Sequence, residues 1–257
     1  TIDQHDYDVL NFSIRNIETA SIPHSIKRIE AFSFNESSVE NVIIPPKLIQ
    51  IDDHAFSNCM KLKQIEIPKN SELRTIDCKA FSESSIEIIN IPASLVDLRK
   101  GWCENTSKLV NISVDENNPR YSSYEGKFII GKSTIDQHDY DVLNFSIRNI
   151  ETASIPEFIE IIESYSFNSC NKLQRIEIPT NSKLRIIGEF SFFKSSIQSI
   201  SIPPHLTKID NKAFSTCMNL QKVEIPENSQ LQIIGNYAFS ETPIKSISIP
   251  LHLTRIC

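Results

Sequence analysis

An Ile-Pro pair recurs along the chain, at Ile22-Pro23, Ile44-Pro45, Ile67-Pro68, Ile91-Pro92, Ile155-Pro156, Ile178-Pro179, Ile202-Pro203, Ile225-Pro226 and Ile249-Pro250. Successive isoleucines lie 22, 23, 24, 64, 23, 24, 23 and 24 residues apart. A period of about 20–29 residues with leucine-type positions is the mark of a leucine-rich repeat. The gap of 64 holds one further repeat, with Val114 in the isoleucine place, and then an irregular stretch of 41 residues.

Two local choices explain the regular spacings. Ile-Pro is followed either by a short link, as in Pro203-Pro204-His205-Leu206, or by one two residues longer, as in Pro226-Glu227-Asn228-Ser229-Gln230-Leu231. Three residues on comes an isoleucine, and five further an aromatic: Phe34, Phe56, Phe81, Phe167, Phe192, Phe214 and Phe239. From that Phe the chain takes six residues to the next strand when a Cys intervenes and five when Ser or Thr does. Short link with Cys gives 23, long link with Ser or Thr gives 24, and short link with Ser gives 22.

Each unit has a physical reading. Leu62, Ile65 and Ile67 lie on Leu-x-x-Ile-x-Ile, whose last positions alternate as a short strand does. Proline ends that strand by removing a donor. Leu73 and Ile76 then turn inward, and Phe81 fills the back of the coil. One unit cannot bury its own apolar face, so units must stack and their strands must form a parallel sheet. The Asn-Ser pairs of the long links, Asn70-Ser71, Asn181-Ser182 and Asn228-Ser229, read as turn chemistry.

Composition narrows the function. Apolar residues make up 40 % of the chain, enough for a core. A formal charge of -6 argues against a dominant electrostatic grip on nucleic acid or an anionic membrane. No apolar run approaches the roughly 20 residues of a membrane span. There are only five glycines, with neither GxGxxG nor GxxxxGK[ST], so a nucleotide site is not expected.

Catalytic and metal chemistry find little support. Cys59, Cys170 and Cys217 each follow the repeat Phe by three residues, where other units place Ser37, Ser84, Ser195 or Thr242. They read as small buried residues bonded to the loop backbone. Cys170 and Cys217 are two units apart, roughly 10 Å at ~4.8 Å per strand, too far for a disulfide. Cys78, Cys103 and Cys257 match no repeat position and are expected nearer the surface. Without CxxC or a Cys/His cluster, no structural zinc and no cofactor are expected. The six histidines fall in links and loops, with no Ser or Cys singled out as a partner.

Protein binding is better supported. Residues between the inward isoleucines point out of the sheet, where solenoids usually meet partners. They include Asn41/Ile43, Gln64/Glu66, Ile88/Asn90, Asn111/Ser113, Arg175/Glu177, Ser199/Ser201, Lys222/Glu224 and Ser246/Ser248. Glu66, Glu177 and Glu224 recur in long-link units with Gln64, Arg175 or Lys222 beside them. The competing reading is a solvated polar face. Segment 115–149 is a second candidate, because Tyr121, Tyr124, Phe128 and Tyr140 cluster in it and loops tend to carry binding. Its alternative is a spacer between two repeat blocks.

The unit Leu-x-x-Ile-x-Ile-Pro-x-x-Leu-x-x-Ile-x-x-x-Ala-Phe-x-x-Cys resembles the BspA-like leucine-rich-repeat surface proteins. Pro-x-Asn-Ser-x-Leu with Ala-Phe-Ser-x-Ser resembles the protist branch. The match covers about 16–114 and 150–257. Asn118-Pro119-Arg120-Tyr121-Ser122-Ser123, followed by Glu125-Gly126-Lys127, resembles a hairpin-bearing degenerate repeat of that family. The resemblance implies surface display or secretion, binding to host-cell or extracellular-matrix proteins such as fibronectin, and no enzyme activity. A general intracellular or secreted interaction scaffold is the alternative.

The expected fold is therefore a helix-poor leucine-rich-repeat solenoid of 22–24-residue units with a parallel β-sheet face. Residues 1–257 read as a single solenoid with blocks 1–114 and 150–257 around the irregular, hairpin-bearing segment 115–149. Two oddities remain. Residues 1–23 are identical to 134–156, which fits either a recent recombination or a deliberate joining. Asp6–Ile22 should then fold like Asp139–Ile155. The chain also stops at Ile256-Cys257 within a repeat. That suggests a piece of a longer protein whose uncapped ends could self-associate.

Overall fold

The computed structural model describes residues 9–10, 18–251 and 253–257. No helix forms among them. The chain divides into two compact units, Thr1–Gly126 and Lys127–Cys257, and each is a β-solenoid.

In the first unit, a face sheet runs through strands Thr19–Ser21, Asn41–Ile43, Gln64–Glu66, Ile88–Ile91 and Asn111–Val114. All its pairings are parallel, in the register that the repeat length dictates, such as Val42 opposite Ile65. A second parallel sheet runs through Val9–Leu10, Arg28–Ile29, Gln50–Ile51, Thr75–Ile76 and Asp97–Leu98. In the second unit the face sheet holds Thr152–Ser154, Arg175–Glu177, Ser199–Ser201 and Lys222–Glu224. Its second sheet starts with an antiparallel pair, Phe128–Gly131 against Val142–Ser146, and continues in parallel through Ile161–Ile162, Ile186–Ile187, Lys208–Ile209, Ile233–Ile234 and Arg255–Ile256.

The alternation seen in the sequence becomes burial. Val42, Ile65 and Ile89 are buried from the face sheet, Ile29, Ile51 and Ile76 from the second. The repeat Phe side chains close the back of each coil in stacked columns. Phe34, Phe56 and Phe81 stack at centroid spacings of 4.8 and 5.4 Å. Phe167, Phe192, Phe214 and Phe239 stack at 4.8, 5.0 and 5.3 Å. The turn-to-turn distance of paired main chains sets this spacing and lets rings of successive turns lie nearly parallel.

Around each column the backbone alternates its partners. The N–H groups of His54, Phe56 and Asn58 donate to Cys78, Ala80 and Ser82 of the next turn, while Ala55 and Ser57 donate three residues back, to Asp52 and His54. The alternation turns the chain into the left-handed region two residues before and two after the Phe, at His54 (φ 55°) and Asn58 (φ 57°). Sixteen described non-glycine residues have positive φ, almost all at these two positions. Such conformations cost about 1 kcal/mol or more each and persist only where the surrounding pairing imposes them.

The links behave as their residues suggest. Leu48 and Leu206 donate back to Pro45 and Pro203. In the long links the buried Ser71, Ser182 and Ser229 hydroxyls accept from the N–H groups of Leu73, Leu184 and Leu231, at 3.1, 3.1 and 3.2 Å. The Cys positions are buried and loop-bonded as expected. The Cys59 and Cys217 thiols donate to the Phe34 and Phe192 carbonyls at 3.0 Å, and all described cysteines are free.

Three expectations need correction. Cys103 is buried, because it falls five residues after Leu98 and so takes the Phe place in the column. Trp102 fills the remaining space edge-on to Phe81, at 6.2 Å and 89°. Ser246–Ser248 carries the strand pattern but forms no strand. In earlier turns the residue at the site of Pro243 donates across the stack, Ser85 to Cys59 and Ser196 to Cys170. Proline has no N–H, so the equivalent bond to Cys217 cannot form and the chain leaves the sheet. Finally, the surface tyrosine expected at 121 is interior: Tyr121 is 2 % exposed, and its hydroxyl accepts from the Leu98 N–H at 3.0 Å.

The duplicated segments agree where they are described. Val9–Leu10 and Val142–Leu143 pair with the following turn in the same relative register, and Thr19–Ser21 and Thr152–Ser154 are both face strands. The rest of the first copy from Asp6 to Ile17 lies outside the described residues. In the second copy, Arg148 stands five residues after Leu143, in the Phe place, and is 2 % exposed. Its guanidinium donates to the Ser166 carbonyl at 2.9 Å and lies 4.3 Å over the Phe145 ring.

Replacing Phe192 by Ala should cost about 3–5 kcal/mol in chemical denaturation, as deep aromatic truncations do. Tyr237→Ala, at an exposed left-handed position two residues before Phe239, should cost less than about 1 kcal/mol. Burial pushes the Cys217 thiol up from 9.0 to about 11, against a smaller opposing effect of Ser195. The folded state therefore holds this proton more tightly than the unfolded one. The associated stability, about 2–3 kcal/mol, is present below pH 9.0 and is lost as pH rises to about 11. Cys217→Ser should melt close to the wild type at neutral pH and lose less stability than the wild type across that window.

Candidate functional site

The outward positions of the face strands make a polar surface on each unit. In the first unit Asn41, Ile43, Glu66, Asn90, Asn111 and Ser113 are exposed, and Gln64 and Ile88 are half-buried. Register sets their neighbours: Gln64 lies opposite Ile88, and Ile43 opposite Glu66. Ser113 donates to Asn90 at 2.7 Å. Ile43, 62 % exposed, is the large apolar side chain of this face.

The second unit is more charged. Arg175 and Glu177 pair along their own strand at 2.8 Å, and Lys222 and Glu224 at 2.5 Å. Ser201 donates across strands to Glu224 at 2.6 Å. The Lys222 ammonium, and secondarily the Ser201 hydroxyl, hold the Glu224 carboxyl below its usual range. All these groups are solvent-exposed, so the pairs add little stability and chiefly keep alternating charges in fixed positions. Beside Lys222 and Glu224 opens a groove of about 1020 Å³, between the Lys222–Glu224 strand and the departed segment Pro243–Ser248. Its walls include Ile225, Pro203 and Pro204.

Segment 115–149 contributes less surface than its tyrosines suggested. Tyr121 is interior, Tyr124 and Tyr140 are half-buried, and Phe128 is buried. Asn118 anchors the segment by donating to the carbonyls of Pro92 and Leu95, at 2.7 and 2.8 Å. Glu125 and Gly126 are both left-handed, as a two-residue hairpin turn requires.

Among the described residues one group of metal-ligand types comes together that sequence spacing did not reveal: Asp53, Asp77 and Cys78, whose donor atoms lie within 4.8 Å. Burial and the neighbouring Asp77 push the Asp53 carboxyl up, and burial together with both carboxylates pushes the Cys78 thiol up. Both groups therefore hold a proton more tightly than they would in water. His54 stacks on Phe32 at 5.0 Å, and His138 pairs with Asp139 at the surface. No helix among the described residues is long and apolar enough to cross a membrane.

No curated protein matches the sequence significantly. Solved structures do resemble it in fold. The pneumococcal vaccine antigen PcpA superposes with a TM-score of 0.68 at 22 % identity, over 89 % of this chain and 65 % of its own. A leucine-rich cell surface protein from Faecalibacterium prausnitzii gives 0.63 at 21 %, over 87 % and 70 %. A leucine-rich repeat protein from Bacteroides ovatus gives 0.52 at 20 %, over 92 % and 67 %. The chain thus spans just under two thirds of the pneumococcal antigen. The model of the BspA type leucine-rich repeat region matches in six copies, over residues 10–125 and 143–257. With nearly its whole length so matched, the chain belongs to the BspA-type leucine-rich repeat family.

Proposed function

We propose that this chain is a non-catalytic, surface-displayed or secreted adhesion module that grips a host-cell or extracellular-matrix protein, with fibronectin among the candidates. The observation that carries this reading is the regular, solvent-exposed face that each unit's parallel sheet presents. An extended ladder of fixed polar and apolar groups suits a protein surface better than a small molecule. The family is one of protein-binding repeats, and two of the similar folds are described as a vaccine antigen and a cell surface protein. The proposed contacts are Gln64, Glu66, Ile88 and Asn90 on one unit, and Arg175, Glu177, Lys222 and Glu224 on the other, with Tyr124 at the irregular segment. Self-association is a further proposed contact, supported by the exposed apolar side chains of Ile249, Leu251 and Ile256.

The test is binding of the purified chain to immobilised matrix proteins, fibronectin included, at physiological salt, with light scattering to record self-association. Glu177→Ala/Glu224→Ala should weaken saturable binding by about tenfold while leaving the melting temperature unchanged, since both groups are exposed. A folded protein that binds none of these ligands would leave a general interaction scaffold as the reading.

A further inference from the structure

The left-handed positions on either side of each Phe column form two outer ridges. In the second unit the ridge before the Phe carries Tyr165, Phe190, Lys212 and Tyr237, and the ridge after it carries Ser169, Lys194, Thr216 and Glu241. Bulky residues are uncommon at φ near +55°, where glycine or Asn would relieve the backbone. Tyr165 and Phe190 stack at 5.1 Å, and Phe193 meets Phe190 edge-on at 5.4 Å. The Lys212 ammonium lies 5.1 Å from the Phe190 centroid and 6.0 Å from that of Tyr237, and Lys194 lies 5.1 Å from that of Phe193. Between them opens a groove of about 590 Å³, with Ser215, Thr216 and Ser240 hydroxyls alongside.

The charges decide what this groove can hold. Lys194 and Lys212 rest on ring faces and form no ion pair among the described residues. Stacked rings also turn their electropositive edges outward. The first unit offers an internal contrast: its ridges carry Phe32, His54 and Lys79, then Glu36, Asn58 and Glu83, and Lys79 is already paired with Glu104 at 3.4 Å. The one carboxylate lining the groove, Glu241, accepts from Thr216 at 3.1 Å. We propose that the Phe190–Phe193–Lys194–Lys212–Tyr237 ridge docks an acidic peptide segment of a partner protein. Its carboxylates would meet the two ammonium groups, and an intervening aliphatic side chain would lie against Phe193. This contact is separate from the sheet face.

The test is calorimetric titration of the whole chain with the peptide acetyl-Glu-Asp-Leu-Asp-Glu-amide, its Gln/Asn counterpart, and a heparin oligosaccharide. Saturable binding of the acidic peptide alone is expected, weakening as salt is raised. Lys194→Ala/Lys212→Ala should weaken it by about tenfold, Glu241→Gln should tighten it by about twofold, and Lys79→Ala should leave it unchanged. Glu177→Ala/Glu224→Ala should also leave it unchanged, so a failed sheet-face reading and a failed ridge are told apart. Absence of binding, equal binding of the neutral peptide, insensitivity to Lys194→Ala/Lys212→Ala, or binding of heparin in place of the peptide would each overturn the proposal. Unchanged melting temperatures of these variants show that folding is not the cause.

Discussion

Everything in this protein hangs on the main-chain bond from one turn to the next. Each turn is too short to bury its own isoleucines, and it becomes stable only when its N–H groups find the carbonyls of the turns on either side. That pairing fixes the rise of the stack, which brings phenylalanines to face-to-face distance and aligns the isoleucine rows behind both sheets. It also fixes the outward residues at constant spacing. The surface proposed to bind is therefore a by-product of the same bonds that make the core. Where one such donor is missing, at Pro243, a strand leaves and a groove appears.

The Phe column shows how much chemistry one position tolerates. Cys103 occupies it with help from Trp102, and Arg148 occupies it by donating to carbonyls and lying on Phe145. A guanidinium so deeply buried needs compensation, because an uncompensated buried charge is far more costly than a lost methyl contact, and its two terminal amines donate to the Ser166 and Tyr165 carbonyls. The Ser166 carbonyl, which still accepts from the Ser146 N–H in the backbone ladder, beside Arg148 also takes a side-chain donor.

Much of this was legible in the sequence. The spacings of 22, 23 and 24 follow from link length and the Cys-or-Ser choice, and the structure keeps its strands in register across all of them. The buried role of Cys59 and the turn role of Ser71 follow from position within the repeat. What stayed hidden depends on through-space neighbours. Tyr121 looked like a loop aromatic because nothing in its sequence reveals the Leu98 N–H that donates to its hydroxyl. Cys103 looked unplaced because Trp102 sits one residue early. The aromatic–lysine ridge was invisible because its members are about 22–25 residues apart and lie two residues from the recognised column, at a period noticed only for the column itself.

The left-handed residues have a further consequence. Most proteins would place glycine at such positions, yet this chain has five glycines in all and fills sixteen of the sites with side chains. Each side chain adds torsional cost to the folded state, but it also narrows the conformations open to the unfolded chain, as glycine would not. The two effects oppose one another. A glycine introduced at Tyr237 or Lys212 would relax the native backbone and loosen the denatured ensemble at once. By keeping side chains there, the repeat frees its bends to vary in chemistry, so that the sharpest corners of the coil become the places where one unit can differ from the next.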